Sequence, residues 1–305
     1  MTKRHRRLMF RPTLHHNLLG DPGVTVTMAD GEKVKVEPRD FRDRPEKKKS
    51  LQLLLKLLKD DKDWENLPTF LGGMRMAREA LPPGYLERFV RRAFELGHGR
   101  IIIRCIEQVD ITDVTLADPA VTKELMMEIH ERATKAGFQG PEMGKIVQEF
   151  RHILALMQKS EHCGQKTFKK GFRDMRQDPT VLGLMLALRA SGNPLAENSI
   201  LIESVQMIAA RILAIYTSQD LAVSEDQYEA RQQMEGWLPV LAGIKLALKT
   251  GQVEDPMLQT GLTQLRDRLE KAVEQAEQLV KVAAKDQPRR CLQMYDEMKG
   301  LEILA

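Results

Sequence analysis

The sequence predicts an all-α protein in which irregular helical hairpins form an α-solenoid-like array. A basic N-terminal extension and one short β-hairpin precede this array, and a long heptad helix ends it. From Ser50 onward, apolar residues recur at the three- and four-residue spacing of helices with one buried face. Three Asp-Pro pairs precede such stretches, and glycines follow them. Aromatic residues make up only 5% while Leu, Met and Ala are abundant, which favours helix over sheet.

Residues 1–23 form the basic extension. The first 20 residues hold five cationic side chains and no acidic one: Lys3, Arg4, Arg6, Arg7 and Arg11. Arginine-rich, acid-free N-termini are typical of mitochondrial presequences. The alternatives are an arm that binds RNA phosphates, a nuclear-type basic cluster, or no function. The sequence leaves open whether residues 1–20 are cleaved after import.

Residues 24–49 are predicted to be a short β-hairpin and a charged linker. Residues 24–28 and 33–36 alternate β-branched and polar side chains around Asp30-Gly31, which is typical of a hairpin turn. Residues 41–49 are charged and contain a proline, so they are assigned to the linker.

Residues 50–176 are predicted to be a region of helical hairpins that begins with a helix capped by Ser50. Apolar stripes then predict helices over residues 85–96, 100–109, 119–136 and 142–159. The two hairpins built from these helices start 34 residues apart, which is the spacing of two-helix repeats. The spacing does not continue further along the chain.

Residues 177–305 are predicted to be a C-terminal helical bundle. In each Asp-Pro pair, aspartate can cap the free backbone amides while proline takes the first helical position. The pairs are Asp118-Pro119, Asp178-Pro179 and Asp255-Pro256, and the predicted stops are Gly137, Gly192 and Gly251. Residues 181–188 have no polar face, so they are predicted to form a helix buried on all sides.

The last long helix, over residues 257–285, carries a narrow apolar seam between charged residues. Its leucines and alanines alternate steps of four and three, as in a coiled coil or a long bundle helix. Such a seam packs either within its own fold or against a helical partner. In the second case the partner-binding residues would be Leu258, Leu262, Leu265 and Leu269.

The connector at residues 166–176 is a second basic element, with five cations around two phenylalanines. Cations neutralise RNA phosphates, and exposed rings stack on unpaired bases. The alternative is a solvated loop whose rings only anchor it to the core. The predicted RNA-binding residues are Lys166, Phe168, Lys169, Lys170, Phe172, Arg173 and Arg176. The arginines Arg88, Arg91 and Arg92 would extend this basic surface if they lie nearby.

Catalytic, metal and cofactor sites are not predicted. The sequence lacks a phosphate loop, a dinucleotide glycine pattern, a nucleophile elbow and a zinc-protease motif. The three cysteines are odd in number and far apart, which indicates a reducing compartment rather than a disulfide framework. Cys163 beside His162 lacks further metal ligands, and His130 and His152 are predicted to be structural. No membrane span is predicted, because the longest apolar run, residues 181–188, is far shorter than the roughly 20 residues a span requires. A small-molecule substrate is not predicted either.

Two stretches resemble degenerate pentatricopeptide repeats and together cover about 40 residues. Residues 85–109 have a tyrosine-led first helix, a Gly-His-Gly-Arg turn and an apolar second helix, and residues 289–300 are similar to the second helix of such a repeat. The resemblance implies stacked helical hairpins that bind single-stranded RNA in organelles. The turn at residues 97–99 is longer than the family's. No base-reading positions are assigned, because the repeat register is not fixed by these two stretches.

The leading hypothesis is a non-catalytic RNA- or ribosome-associated protein of mitochondrial gene expression, located in the matrix. It would bind the mitochondrial ribosome or its RNA through the N-terminal extension and the connector. The alternative is a mitochondrial scaffold or assembly factor that binds a helical partner through residues 257–285. An enzyme of unrecognised type ranks third.

Overall fold

The computed structural model describes residues 3–20, 23–27, 31–39, 46–164, 171–192, 204–217, 219–284 and 289–301. The chain divides into two compact units, residues 1–58 and residues 59–305. Helices dominate, and one small antiparallel hairpin is present, which confirms the predicted all-α class. The finer division near residue 176 stays a prediction.

The first unit contains the basic extension and the hairpin. Its elements are α1 (Lys3–Phe10), α2 (His16–Leu19), β1 (Thr25–Thr27), β2 (Lys33–Lys35) and α3 (Lys47–Leu57). The predicted hairpin is present, and Val26 pairs with Val34 across it. An isolated two-stranded hairpin is only marginally stable. Here the backbone N–H of Arg39 donates to the Met9 carbonyl at 2.9 Å, which ties the chain just after β2 to α1.

The start of α3 differs from the prediction. The helix begins at Lys47, so Ser50 lies inside its first turn and does not cap it. Three lysines in a row are good helix formers, and Glu46 in extended conformation provides the boundary. Of the predicted linker, residues 41–45 lie outside the described residues, and residues 47–49 belong to α3.

The second unit holds the remaining helices. They are α4 (Asp61–Glu65), α5 (Leu67–Met76), α6 (Tyr85–Glu95), α7 (Gly99–Glu107), α8 (Val109–Thr112), α9 (Pro119–Lys135), α10 (Pro141–Met157), α11 (Pro179–Ala190), α12 (Val205–Thr217), α13 (Gln227–Lys249), α14 (Pro256–Ala284) and α15 (Arg290–Lys299). The four predicted hairpin helices correspond to α6, α7, α9 and α10, with ends shifted by one or two residues.

The Asp-Pro pairs begin helices as predicted. Asp118 and Asp178 each accept a hydrogen bond at 3.0 Å from the backbone N–H two residues later, and Asp255 does so at 2.9 Å. The predicted stops Gly137, Gly192 and Gly251 have φ of 62°, 70° and 66°, a left-handed conformation that favours glycine. A cap and a stop together fix both ends of α9 and α11, whereas Gly251 follows the end of α13 and Asp255 begins α14.

The centre of the second unit is α11, which is buried along nearly its whole length, as the run at residues 181–188 predicts. It crosses α13 with almost no space between the backbones. A Cβ atom on Gly183 would lie 2.6 Å from Val240 Cα, and one on Gly243 would lie 2.5 Å from the Gly183 carbonyl oxygen. This pair of glycines therefore permits the close crossing. Among the described helices, none is both long and apolar enough to cross a membrane.

Candidate nucleic-acid interface

The N-terminal extension presents its cations to solvent. Helix α1 begins at Lys3, and the side chains of Arg4, Arg6, Arg7 and Arg11 are exposed. Among the side chains of α1 and α2 whose burial is described, only Leu18 is buried. His15 Nε2 lies 2.9 Å from the Met9 carbonyl oxygen, which holds the turn between the two helices. Four solvated guanidinium groups on one short segment form a surface suited to phosphate groups.

The connector is described only in its second half. Lys166, Phe168, Lys169 and Lys170 lie outside the described residues. Arg173 donates to Asp178 at 2.6 Å, and Arg176 donates to Asp174 at 2.6 Å. This hydrogen bond from Arg176 holds the pKa of Asp174 below its usual value. Both described cations are thus paired with carboxylates of the chain itself, and RNA binding by the connector stays a prediction.

Phe172 is half-buried and lines a cavity of about 360 Å³. The same cavity is lined by Gly84, Leu86 and Glu87 at the start of α6, and by Ala120 of α9. The position of Phe172 agrees with the anchoring alternative for this ring. It also brings the connector close to the start of α6, which is the condition under which the α6 arginines extend the basic surface.

The three α6 arginines differ in their partners. Arg91 binds Glu124 of α9 through two hydrogen bonds of 2.8 Å, and Arg92 pairs with Glu95 at 3.1 Å. The Arg88 guanidinium lies 5.0 Å from the centroid of the Tyr85 ring and is exposed. Of these three side chains, Arg88 is therefore the one that is not paired with a carboxylate among the described residues.

The heptad leucines of α14 form part of the chain's own core. Leu262, Leu265 and Leu269 are buried, and Leu258 is 9% exposed. Helix α14 packs against α12, α13 and α15, and a Cβ on Gly261 would lie 2.6 Å from Leu213 of α12. The leucines of this seam therefore pack within the chain's own fold, which is one of the two alternatives that the heptad pattern left open. Partner binding through these four leucines stays a prediction, and it would require a partner helix to displace α13 from them.

An ion-pair cluster that the sequence did not reveal joins α15 to α9. Arg290 donates to Glu124 at 2.6 Å and to Glu131 at 2.7 Å, and its Nη2 lies 2.9 Å from Glu128 Oε1 without hydrogen-bond geometry. The Arg290 side chain is only 18% exposed. Burial raises the pKa of Glu128 to about 8, although Arg290 opposes this shift. Because Glu124 also binds Arg91, the cluster connects α6, α9 and α15.

Histidines and cysteines take structural positions. His162 Nδ1 lies 3.2 Å from Thr115 Oγ1 and 3.3 Å from the Leu116 amide nitrogen. His130 is fully buried, more deeply than predicted, and burial lowers its pKa to about 3. All three cysteines are free and buried. In the part of the chain that the structure describes, no three potential ligands come together to hold a metal ion.

Comparison with known proteins identifies the family. The sequence model of the mitochondrial ribosomal protein mS27 family matches residues 1–297, which includes nearly all of both units. The chain belongs to the mitochondrial ribosomal protein mS27 family. The small ribosomal subunit protein mS27 of Neurospora crassa is 29% identical over 195 residues. This alignment covers 61% of the present chain and 48% of the fungal protein, so the match spans about half the length of that relative.

Membership of the mS27 family confirms the prediction that the chain is a mitochondrial ribosomal protein. The family is one of mitochondrial ribosomal proteins, whose location is the mitochondrial matrix, and this agrees with the prediction of a non-catalytic protein of mitochondrial gene expression. The narrower resemblance to pentatricopeptide repeats is not tested by this match, and what is confirmed is the coarser prediction of a helical mitochondrial ribosomal protein.

Proposed function

We propose that this chain is a structural component of the small subunit of the mitochondrial ribosome, held there by contacts with ribosomal RNA and neighbouring proteins. The family match over residues 1–297 carries this proposal. The four exposed arginines of the N-terminal extension support it, since exposed guanidinium groups bind phosphates and ribosomal RNA is the nearest polyanion in that setting.

The first proposed RNA contact is the N-terminal extension, through Arg4, Arg6, Arg7 and Arg11. Each phosphate neutralised by such a side chain releases counterions, so affinity falls steeply with salt. The connector lysines Lys166, Lys169 and Lys170 are a second proposed contact, together with Arg173 if RNA displaces its pairing with Asp178. We expect neutralisation of these four residues to weaken RNA binding.

A finer proposal concerns the fold of residues 85–109. Helices α6 and α7 form a helical hairpin that begins at Tyr85, as in the pentatricopeptide resemblance. Helix α15, the other resembling stretch, packs against α9, α13 and α14. Under this proposal residues 85–109 correspond to a degenerate repeat, and α15 to an isolated repeat helix.

The experiment is sedimentation of the tagged native protein from gently lysed mitochondria, with and without ribonuclease. We expect it to migrate with the small ribosomal subunit and to move to lighter fractions after ribonuclease treatment. Migration as a free protein under conditions that preserve the subunit would refute the proposal. A heavy but ribonuclease-resistant position would favour a scaffold role instead.

The N-terminal extension needs a separate assay, because the same arginines are also predicted to direct import. We therefore compare purified wild-type protein with a variant in which Arg4, Arg6, Arg7 and Arg11 become glutamine. The dependence of RNA affinity on salt should weaken in the variant, with the slope of log K against log salt falling by about 0.7 for each lost contact to single-stranded RNA. Equal slopes would refute this contact. Neutralising exposed cations on other helices, Arg104 and Lys271, provides the control.

A further inference from the structure

A cleft of about 580 Å³ lies in the second unit between α6, α9 and α13. Four cationic side chains and three carboxylates line it: Arg88, Arg91, Lys123, Arg231, Glu87, Glu124 and Glu235. Its size falls in the range of small-ligand pockets, about 300–1,000 Å³. The cleft is not part of either contact proposed above.

Two of the three carboxylates in the cleft are already paired with arginines of the chain itself. Glu124 is bound by Arg91 at 2.8 Å and by Arg290 at 2.6 Å. Glu235 lies 3.4 Å from Arg231, and burial raises the pKa of its carboxyl group. Of the three carboxylates, Glu87 is therefore the one that can still offset the positive charge of Arg88 and Lys123 at the rim.

The two cations at the rim of the cleft, Arg88 and Lys123, are less closely paired with carboxylates. Arg88 is exposed and has no carboxylate partner among the described residues. Lys123 is exposed too, and the carboxylate paired with it, Asp178, is 4.0 Å away and already bound by Arg173 at 2.6 Å. The outward-facing charge of the cleft is therefore positive.

An exposed aromatic ring completes the wall formed by α13. Tyr228 is 60% exposed, although Arg231 lies 5.4 Å from its ring centroid and Gln232 donates to its hydroxyl oxygen at 2.9 Å. The Nε atom of Arg231 is buried and has no hydrogen-bond partner within the described ranges. A ring held in place yet open to solvent is a surface on which an unpaired base can stack.

The cleft also adjoins the cavity that Phe172 lines. Gly84, Glu87 and Ala120 line both. The two cavities therefore share part of their lining, with Phe172 in one and Tyr228 in the other, which suits an extended chain better than a compact small molecule.

We propose that this cleft binds a single-stranded RNA segment, with phosphates at Arg88 and Lys123 and a base stacked on Tyr228. This inference rests on the proposed ribosomal function and adds a third contact surface to it. An acidic peptide would satisfy the rim cations as well. The held, exposed tyrosine favours RNA, because every base offers a face for stacking.

The test measures binding of a fluorescent oligouridylate of about 20 nucleotides to the purified full chain, between about 50 and 200 mM salt. One variant carries Arg88→Gln and Lys123→Gln, and a second carries Tyr228→Ala. The matched control carries Arg104→Gln and Lys271→Gln, two exposed cations outside the cleft. Circular dichroism and melting temperature confirm that each variant is folded.

For the double variant we expect the slope of log K against log salt to fall by about 1.4, which corresponds to two lost phosphate contacts. For Tyr228→Ala we expect affinity to fall by about fivefold or more at unchanged slope, because stacking does not release counterions. The control should bind as the wild type does.

Wild-type affinity and slope in both cleft variants would overturn the inference. Crosslinks from the cleft to a protein rather than to RNA in intact small subunits would also overturn it and indicate a peptide partner. Sedimentation of the wild-type chain is measured in parallel. If the wild type fails to migrate with the small subunit, the ribosomal function is refuted, whereas unchanged RNA binding in the variants refutes the cleft alone.

Discussion

Replacing Glu128 by glutamine is expected to stabilise the second unit at alkaline pH. Glu128 is 6% exposed and lies beside Glu124 and Glu131, both of which bind Arg290. One guanidinium group therefore faces three carboxylates. Burial, assisted by the two neighbouring carboxylates, raises the pKa of Glu128 from 4.5 to about 8. The folded state thus holds this proton more tightly than the unfolded chain does.

The sign of the effect follows from proton linkage. With a folded pKa above the unfolded value, the contribution to stability is fully present below pH 4.5 and is lost as pH rises toward 8. Each pKa unit corresponds to about 1.4 kcal/mol, so the loss between about pH 5 and about pH 8.5 is on the order of 4 kcal/mol. Glutamine has nearly the same shape and does not ionise, and Arg290 keeps two carboxylate partners.

The assay is urea unfolding followed by circular dichroism near pH 5.5 and near pH 8.5. We expect Glu128→Gln to be close to the wild type at the acidic pH and more stable at the alkaline pH. Glu142→Gln is the control, because Glu142 is exposed and, among the described residues, its ion-pair partner is Lys145. Parallel stability curves for wild type and Glu128→Gln across this range would refute the reasoning.

Two further predictions concern packing in the second unit. Gly183→Ala should destabilise it by about 1–3 kcal/mol, because the new Cβ would lie 2.6 Å from the Val240 backbone. The control Gly73→Ala, with no atom within 4 Å of its Cβ, should be neutral or stabilising in the same urea titration; equal effects at the two sites would argue against the close crossing. Leu265→Asp should lower the midpoint of thermal unfolding strongly, because it buries an unpaired carboxylate, whereas Lys271→Asp on the exposed face of the same helix should change it little. A soluble, normally stable Leu265→Asp protein that has lost only a binding partner would support the partner-binding interpretation of the seam.

Local signals in the sequence were sufficient for the helices of the second unit. Asp178 and Gly192 at the two ends of α11, and an apolar run with no polar face between them, predicted both its limits and its burial. These features act within a few residues of one another, so no knowledge of the tertiary fold is needed to interpret them. At Ser50 the local signal was misleading, since the lysines before it continue the helix.

Pairings between residues far apart in the sequence could not be predicted from the periodicity of apolar residues. Glu124, Glu128 and Glu131 visibly share one face of a helix in the sequence, but nothing marks Arg290, about 160 residues away, as their partner. The seam of α14 has the same limitation, because a heptad pattern describes one side of an interface and not the helix that covers it. Only the tertiary structure shows that α13 does so.

For the candidate interface, the sequence identified cations but not which of them remain unpaired. Asp174 and Asp178 stand within five residues of Arg173, so their pairing with the connector arginines was a signal that the sequence contained. The cleft around Tyr228 had no such signal, because its walls come from α6, α9 and α13 and meet only in the folded chain.

The most direct test of the central claim is a density map of small ribosomal subunits purified from mitochondria that contain this protein. We expect density for the second unit, recognisable by the close crossing of α11 and α13 and by the 29-residue helix α14, with the N-terminal extension against RNA. A map of complete small subunits in which no density fits these helices would contradict it.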